Sequence, residues 1–292
     1  MDAAVRRAIN SLKKDRTHGA VQLTVQAIGI LGKTAAVSKA ATNASLNKEI
    51  KAVSAALLMA RPSMVSIANY VLHFNDEFSR NAHNAGTIAA YKKQCSSIVR
   101  NLVKHCEKAA ESAAQRAATL INNRSILLTC SYSSSVNNTL KLARLNGLEF
   151  RVLAAESRSG SISYGRITAR HLKKASMAVQ TFPDDQVGWH MARCDMVLLG
   201  TDAISQQGWM INGTPSLEIC LWAKKRKMPV YVVCETAKID VRGILATMRE
   251  PVEGFDIVPL DLLTAFITDS GTYKPDDIYN LKSADLFGNS NA

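Results

Sequence analysis

The sequence predicts an α/β fold: an N-terminal all-helical domain over residues 1–122, then a doubly wound parallel sheet over residues 123–292. Three observations lead there. Helix-forming residues dominate the first 120 positions. From about Arg124 to about Leu281, short apolar runs alternate with amphipathic stretches of helical period. Each apolar run ends in a polar cluster, the arrangement of an open sheet whose ligands sit beyond its strand ends.

In the first segment, Val21, Leu23, Val25, Ile28 and Leu31 recur at helix-like spacing. Residues 48–59 and 64–75 continue the pattern, with Arg61-Pro62 breaking the chain between them. Residues 86–122 read as one long helix, alanine-rich from Cys106 to Ile121. Ile126 to Cys130 then forms a continuous apolar run, the mark of a strand buried on both faces. Helix 134–145 leads to strand 149–155, helix 164–174 to strand 177–181, and a helix near 185–192 to strand Asp195–Leu199. Helix 215–227 precedes strand Val230–Cys234, with Thr214 as its expected cap, Pro215 at its first position and Lys224 to Lys227 in its last turn.

With 292 residues, 47% of them hydrophobic, the chain can bury a large core. The net charge of +12 suits anionic partners. Residues 1–120 hold 17 lysines and arginines against 7 acids, and the remainder 19 against 17, so the basic excess lies in the helical segment. The six cysteines form no Cys-x-x-Cys pair, which argues against a zinc ribbon or a thioredoxin-like site; no metal and no cofactor are expected. Cys194, Cys220 and Cys234 sit among apolar neighbours and read as buried, reduced thiols. The charged start (Asp2, Arg6, Arg7) has no signal-peptide core, and no apolar run reads as long enough to cross a bilayer. A cytoplasmic protein with no membrane partner is the expectation.

The strand ends carry the candidate chemistry. Thr129-Cys130-Ser131-Tyr132-Ser133-Ser134-Ser135 follows the first strand and opens a helix, where free N–H groups and hydroxyls can hold a phosphate or simply cap. There is no Gly-x-Gly-x-x-Gly and no P-loop lysine. Arg158 follows the second strand, with a guanidinium suited to a forked anion contact. Gly200-Thr201-Asp202 follows the fourth, with Gly208 and Asn212 beyond; Asp202 is the candidate acid or base. Glu235-Thr236-Ala237-Lys238 follows the fifth and supplies a second cation.

The order of these motifs resembles the alpha/beta/delta regulatory subunits of eukaryotic initiation factor 2B. That family also includes methylthioribose-1-phosphate isomerase and ribose-1,5-bisphosphate isomerase. The resemblance rests on Asp15-Arg16-Thr17-His18-Gly19-Ala20, Leu128 to Ser133, Glu156-Ser157-Arg158, Gly200 to Ile204 with Gly208 and Asn212, Cys234 to Lys238, and Val258-Pro259 to Lys274-Pro275. It implies a helical domain on a Rossmann-like domain and a homodimer or larger dimer-built assembly. It also implies a phosphorylated small-molecule ligand held by Arg16, His18, Gly19, Ser133, Arg158, Asn212 and Lys238.

Activity is a separate matter. The isomerases of the family carry Thr-His-Cys after the first strand with the cysteine catalytic, and an Asn-Lys-x-Gly-Thr motif. Here Ser131 holds the cysteine's place, Cys130 stands one residue early, and Asn212-Gly213-Thr214 has no lysine. The regulatory subunits' Thr-His-Ser-Tyr-Ser is nearer to Thr129-Cys130-Ser131-Tyr132-Ser133. The family's Arg-Gly-Ala phosphate loop reads His18-Gly19-Ala20, and Asp202 matches the isomerases' catalytic aspartate. A serine is a far weaker acid than a thiol. The first expectation is therefore a non-catalytic, initiation-factor-like binding protein that acts through protein contacts, with a translation initiation factor among its partners. The alternative is an aldose–ketose isomerase centred on Asp202 with Cys130 or Ser131. A third reading, a nucleic-acid-binding helical segment, lacks any motif or interleaved aromatics.

Overall fold

The computed structural model describes residues 1–81, 86–246 and 252–287. The chain divides into two compact units, Met1–Lys108 and Ala109–Ala292, and the division falls inside a helix.

The first unit is helical: α1 (Ala3–Lys14), α2 (Ala20–Val37), α3 (Asn43–Ala60), α4 (Val65–Asn81) and the first five turns of α5 (Ile88–Ala118). Asp2 caps α1 by accepting the N–H groups of Ala4 and Val5, and Thr42 caps α3 at Ser45. The expectation that no apolar run is long enough for a bilayer fails at α2, which has the length and composition of a span. Its Leu23, Ile28 and Leu31 are buried inside the unit, as in a core helix.

The second unit is an α/β domain. Its strands are β1 (Ile126–Thr129), β2 (Arg151–Ala155), a short hairpin β3–β4 (Arg158–Ser159, Ile162–Ser163), β5 (Ala178–Phe182), β6 (Met196–Leu199), β7 (Ala203–Ser205), β8 (Trp209–Gly213), β9 (Val230–Val233), β10 (Ile239–Asp240), β11 (Phe255–Pro259), β12 (Ala265–Ile267) and β13 (Thr272–Tyr273). The helices between them are α6 (Ser134–Leu145), α7 (Tyr164–Lys174), α8 (Val187–Met191) and α9 (Ser216–Lys225).

The main sheet runs β13-β12-β9-β6-β1-β2-β5, parallel except for β13. Residues of α6 and α7, with Ala113 and Ala117 of α5, bury one face against Leu127, Val152 and Leu198. Residues of α8 and α9 bury the other against Leu128, Leu153, Val197 and Leu199. Strand order reverses between β1 and β6, which puts the switch point at the residues after Thr129 and Leu199.

Three details differ from the sequence reading. Helix α9 starts at Ser216, and Thr214 does not cap it: the Asp256 carboxylate of β11 accepts both the Leu217 N–H at 2.9 Å and the Thr214 hydroxyl at 2.8 Å. A long-range carboxylate takes over the cap, and a proline at the cap position offers no side-chain acceptor. Cys194 is only half buried, unlike Cys220 and Cys234. A second sheet, β10-β7-β8-β11, stands beside the main one and was not anticipated.

Candidate functional site

The loop after β1 packs against two glycines, Gly200 just past β6 and Gly213 at the end of β8. A Cβ on Gly200 would fall on Ser133 Oγ, and one on Gly213 would fall on Ser131 Oγ, both well inside contact distance. Only glycine lets these backbones approach the serines so closely. Ser133 spends its hydroxyl on the helix, accepting the Val136 N–H at 3.3 Å.

Ser131 is fixed on several sides. Its N–H donates to Ser157 Oγ at 2.6 Å, and its carbonyl accepts the Thr168 hydroxyl at 2.7 Å. Ser131 and Ser157 both hold positive φ, 60° and 50°. Such backbone costs roughly 1–2 kcal/mol per residue without glycine, and it is concentrated where two strand ends adjoin.

Cys130, beside it, is buried. It is 2% exposed, packs in the core against α9, and its Sγ lies 3.2 Å from Ser216 Oγ and 3.8 Å from the Gly213 carbonyl. Burial pushes its thiol up to about 12, with the Ser216 contact opposing. Asn212, also buried, donates from Nδ2 to Ser216 Oγ at 2.8 Å. Asn212, Ser216 and Cys130 thus form one buried chain.

A carboxylate cluster lies at the β2 end. Arg158 Nε reaches Glu156 Oε2 at 2.6 Å, and Arg166 holds Oε1 at 2.6 and 2.9 Å. The Arg166 and Arg158 hydrogen bonds keep the Glu156 carboxyl below its usual range. Asp184, just past β5, accepts the N–H groups of Ser157 and Arg158 at 2.7 and 3.0 Å. Arg158 itself stays more than half exposed.

The β9 end carries a buried ion pair. Lys238 Nζ lies 3.0 Å from Glu235 Oε2, both almost fully buried, and Ser135 donates to Glu235 Oε1 at 2.7 Å. Burial alone would lower the Lys238 pKa. The carboxylate charges of Glu235 and Asp202, with the Glu235 hydrogen bond, outweigh it and hold the lysine above its ordinary value. Asp202 is therefore in electrostatic reach of Lys238, and its N–H donates to the Ile211 carbonyl at 2.9 Å. Asp269 adds a second acid: it takes the Thr236 N–H at 2.6 Å, and burial raises its pKa.

The structure thus brings Ser131 and Ser133 together with Gly200 and Gly213, and Asp202 with Lys238. It buries Cys130 and Asn212. Arg16, His18 and Gly19 belong to the first unit, on the loop between α1 and α2. There Asp15 accepts the N–H groups of Thr17 and His18 and lies 2.7 Å from His18 Nδ1. Partial burial opposes ionisation, but these hydrogen bonds prevail and hold the Asp15 carboxyl well below the usual range. Arg61 donates to the Leu12 and Asp15 carbonyls and pins the loop.

Sequence reasoning missed Asp184 and Arg166, and it quoted Ser157 and Glu235 within strand-end motifs without giving either a role. Asp184 had a usable signal, since it follows the third strand as Phe182-Pro183-Asp184, the one strand end left uninspected. Among the described residues no group of three or more His, Cys, Asp and Glu could hold a metal ion.

A profile of the Initiation factor 2 subunit family matches residues 16–253. The chain is 25% identical to the ribose 1,5-bisphosphate isomerase of Pyrococcus furiosus, over 90% of this chain and 88% of that one. It is 26% identical to translation initiation factor eIF2B subunit alpha of Caenorhabditis elegans, over 82% and 85% of the two chains. Among solved structures, the translation initiation factor eIF-2B of Pyrococcus horikoshii OT3 superposes with a TM-score of 0.81, 22% identity, and 95% and 100% of the two chains covered.

Proposed function

Since the chain belongs to the Initiation factor 2 subunit family, which holds both regulatory subunits and sugar-phosphate isomerases, we propose that it is a member of the regulatory type. It binds a sugar phosphate or nucleotide in the strand-end crevice and acts through protein contacts. A cytoplasmic homodimer or dimer-built assembly, with a translation initiation factor as partner, completes this reading.

One observation carries it. Interconverting an aldose and a ketose phosphate requires an acid and a base that move protons at neighbouring carbons. Ser131 occupies the position where the resemblance puts a catalytic thiol. The adjacent thiol of Cys130 is buried in the core and pushed up to about 12. The acid that the isomerases place there is thus replaced, at Ser131, by a far weaker one. The α6 N-terminus and Arg158 still offer donors and positive charge to a phosphate.

The test is incubation with ribose-1,5-bisphosphate and with methylthioribose-1-phosphate, followed by NMR and by thermal unfolding. A raised melting temperature with unchanged substrate spectra is the expected result. Turnover that disappears in Asp202→Asn would overturn it. Such turnover is what the second reading, an isomerase, requires; that reading draws on Asp202 and on curated relatives named ribose 1,5-bisphosphate isomerase that span about 90% of the chain.

A further inference from the structure

Strand β5 ends the main sheet, and among the described residues it pairs only with β2. In a parallel pair the N–H and C=O of one residue point to the same neighbour, and successive residues alternate. The Phe182 carbonyl accepts the Glu156 N–H, so Phe182, Gln180 and Ala178 face β2. Val179 and Thr181 therefore direct their backbone N–H and C=O groups at the open edge. Natural sheets commonly blunt such an edge. Here it is flanked by clefts on both faces.

On the α7 side, a cleft of about 520 Å³ runs between Thr181 and the exposed cations Arg170, Lys173 and Lys174. None of these three has an acidic partner among the described residues. Lys141, Lys174 and Arg170 all press on His171 and, with burial foremost, lower its pKa, which marks a field of uncompensated positive charge. On the α8 side, a cleft of about 320 Å³ is lined by Leu153, Ala178, Gln180 and Arg193. Arg193 is stacked on the exposed Trp189 ring at 3.9 Å.

We propose that the β5 edge is a docking site for an extended acidic peptide segment of another protein, which adds to the sheet as an eighth strand. Side chains of an added strand alternate between the faces. Those on the α7 side would be acidic, to meet Arg170, Lys173 and Lys174. Those on the α8 side would be apolar, to lie against Leu153 and the Trp189–Arg193 stack. Strand addition of this kind takes affinity from main-chain hydrogen bonds and specificity from alternate pockets. Charge favours this occupant over a second copy of the chain, because edge-to-edge pairing would set two copies of the α7 cations together in a protein of net charge +12. The proposal is independent of what the crevice binds.

The experiment uses the full chain and a fluorescein-labelled, end-blocked peptide of four Glu-Val repeats, with binding followed by anisotropy. Saturable binding is expected. It weakens at least tenfold in Arg170→Glu/Lys174→Glu and is lost for the same peptide with alternate backbone nitrogens methylated. Thr181→Pro keeps the circular dichroism of the parent, because its outward N–H makes no sheet bond, and it abolishes binding. Three results would overturn the proposal: no binding by the parent chain, binding indifferent to backbone methylation, or displacement of the peptide by polyuridylate that binds tighter and is itself lost in the double variant. The last would make this face a nucleic-acid surface.

Discussion

The Lys238 ammonium and the Glu235 carboxylate lie 3.0 Å apart, with side-chain exposures of 3% and 4%. Water can stabilise neither charge, so each depends on the other, on Ser135 and on the Asp202 charge nearby. Removing one member alone strands a buried charge. Lys238→Met is expected to cost about 3–5 kcal/mol in urea unfolding, while Lys238→Met/Glu235→Leu recovers much of the loss. The lysine's folded pKa lies above the ordinary value of 10.5. Its contribution is thus complete below that value and is lost as pH rises through the folded pKa. Parent and Lys238→Met should therefore converge in stability on going to strongly alkaline solution, apart from the packing change.

The glycine contacts give a second prediction. Gly213→Ala drives a methyl into Ser131 Oγ, and Gly200→Ala drives one into Ser133 Oγ, the cap of α6. Overpacking of this sort costs about 1–3 kcal/mol, and losing the Ser133 cap adds about 1 kcal/mol. Thermal unfolding should place Gly200→Ala below Gly213→Ala for that reason. Both variants should lose phosphate-ligand stabilisation, because both displace the loops at the switch point.

Asp256 gives a third. It accepts the Leu217 N–H and the Thr214 hydroxyl, so Asp256→Ala removes the N-terminal cap of α9 and one side-chain bond. A loss of about 1–2 kcal/mol follows. Asp256→Asn should retain most of it, and Thr214→Val should cost less than Asp256→Ala. Equal losses for Asp256→Ala and Thr214→Val would show that the hydroxyl, not the helix terminus, is the carboxylate's main partner.

How these residues were read, or missed, follows from what each depends on. Helices 134–145 and 164–174 coincide with α6 and α7 because Ser133 and Ser163 cap them locally and the apolar period runs unbroken. Strand β1 was legible as an apolar run because both its faces are covered. The sheet β10-β7-β8-β11 was not, because strands as short as Ala203–Ser205 and Ile239–Asp240 carry too few residues to show a period. Asp256 acts on Leu217, 39 positions away, so local spacing holds no trace of it, whereas Asp184, acting on Ser157 27 positions away, was marked only by its place after a strand. The contact of Cys130 with Ser216 was not legible, because the two lie 86 positions apart.

Glu156 supplies a pH prediction. Arg166 and Arg158 hold its folded pKa below the ordinary value of 4.5. Stability from this cluster is therefore complete above about that pH and is lost as pH falls through the lower folded value. Both guanidinium groups are more than half exposed, so solvent screens the pair and the effect is modest. Glu156→Gln should melt below the parent at neutral pH, and the gap should close in acid. A gap that stays constant down to pH well below the carboxylate range would mean that the amide is lost to packing rather than charge.

The thiols bear on catalysis most directly. Cys130 is 2% exposed and Cys194 half buried, and burial pushes both up to about 12. With thiolate character equal, access decides the order of reaction. In native protein treated with iodoacetamide at mildly alkaline pH, peptide mapping should find Cys194 modified first, and Cys130 only at the rate of global opening. Saturating ribose-1,5-bisphosphate should slow Cys130 further by stabilising the fold, without shielding Cys194 selectively. If Cys130 instead reacts as fast as Cys194 and is protected specifically by that sugar phosphate, its sulfur opens into the crevice beside Asp202. An acid–base pair for isomerisation would then be present after all.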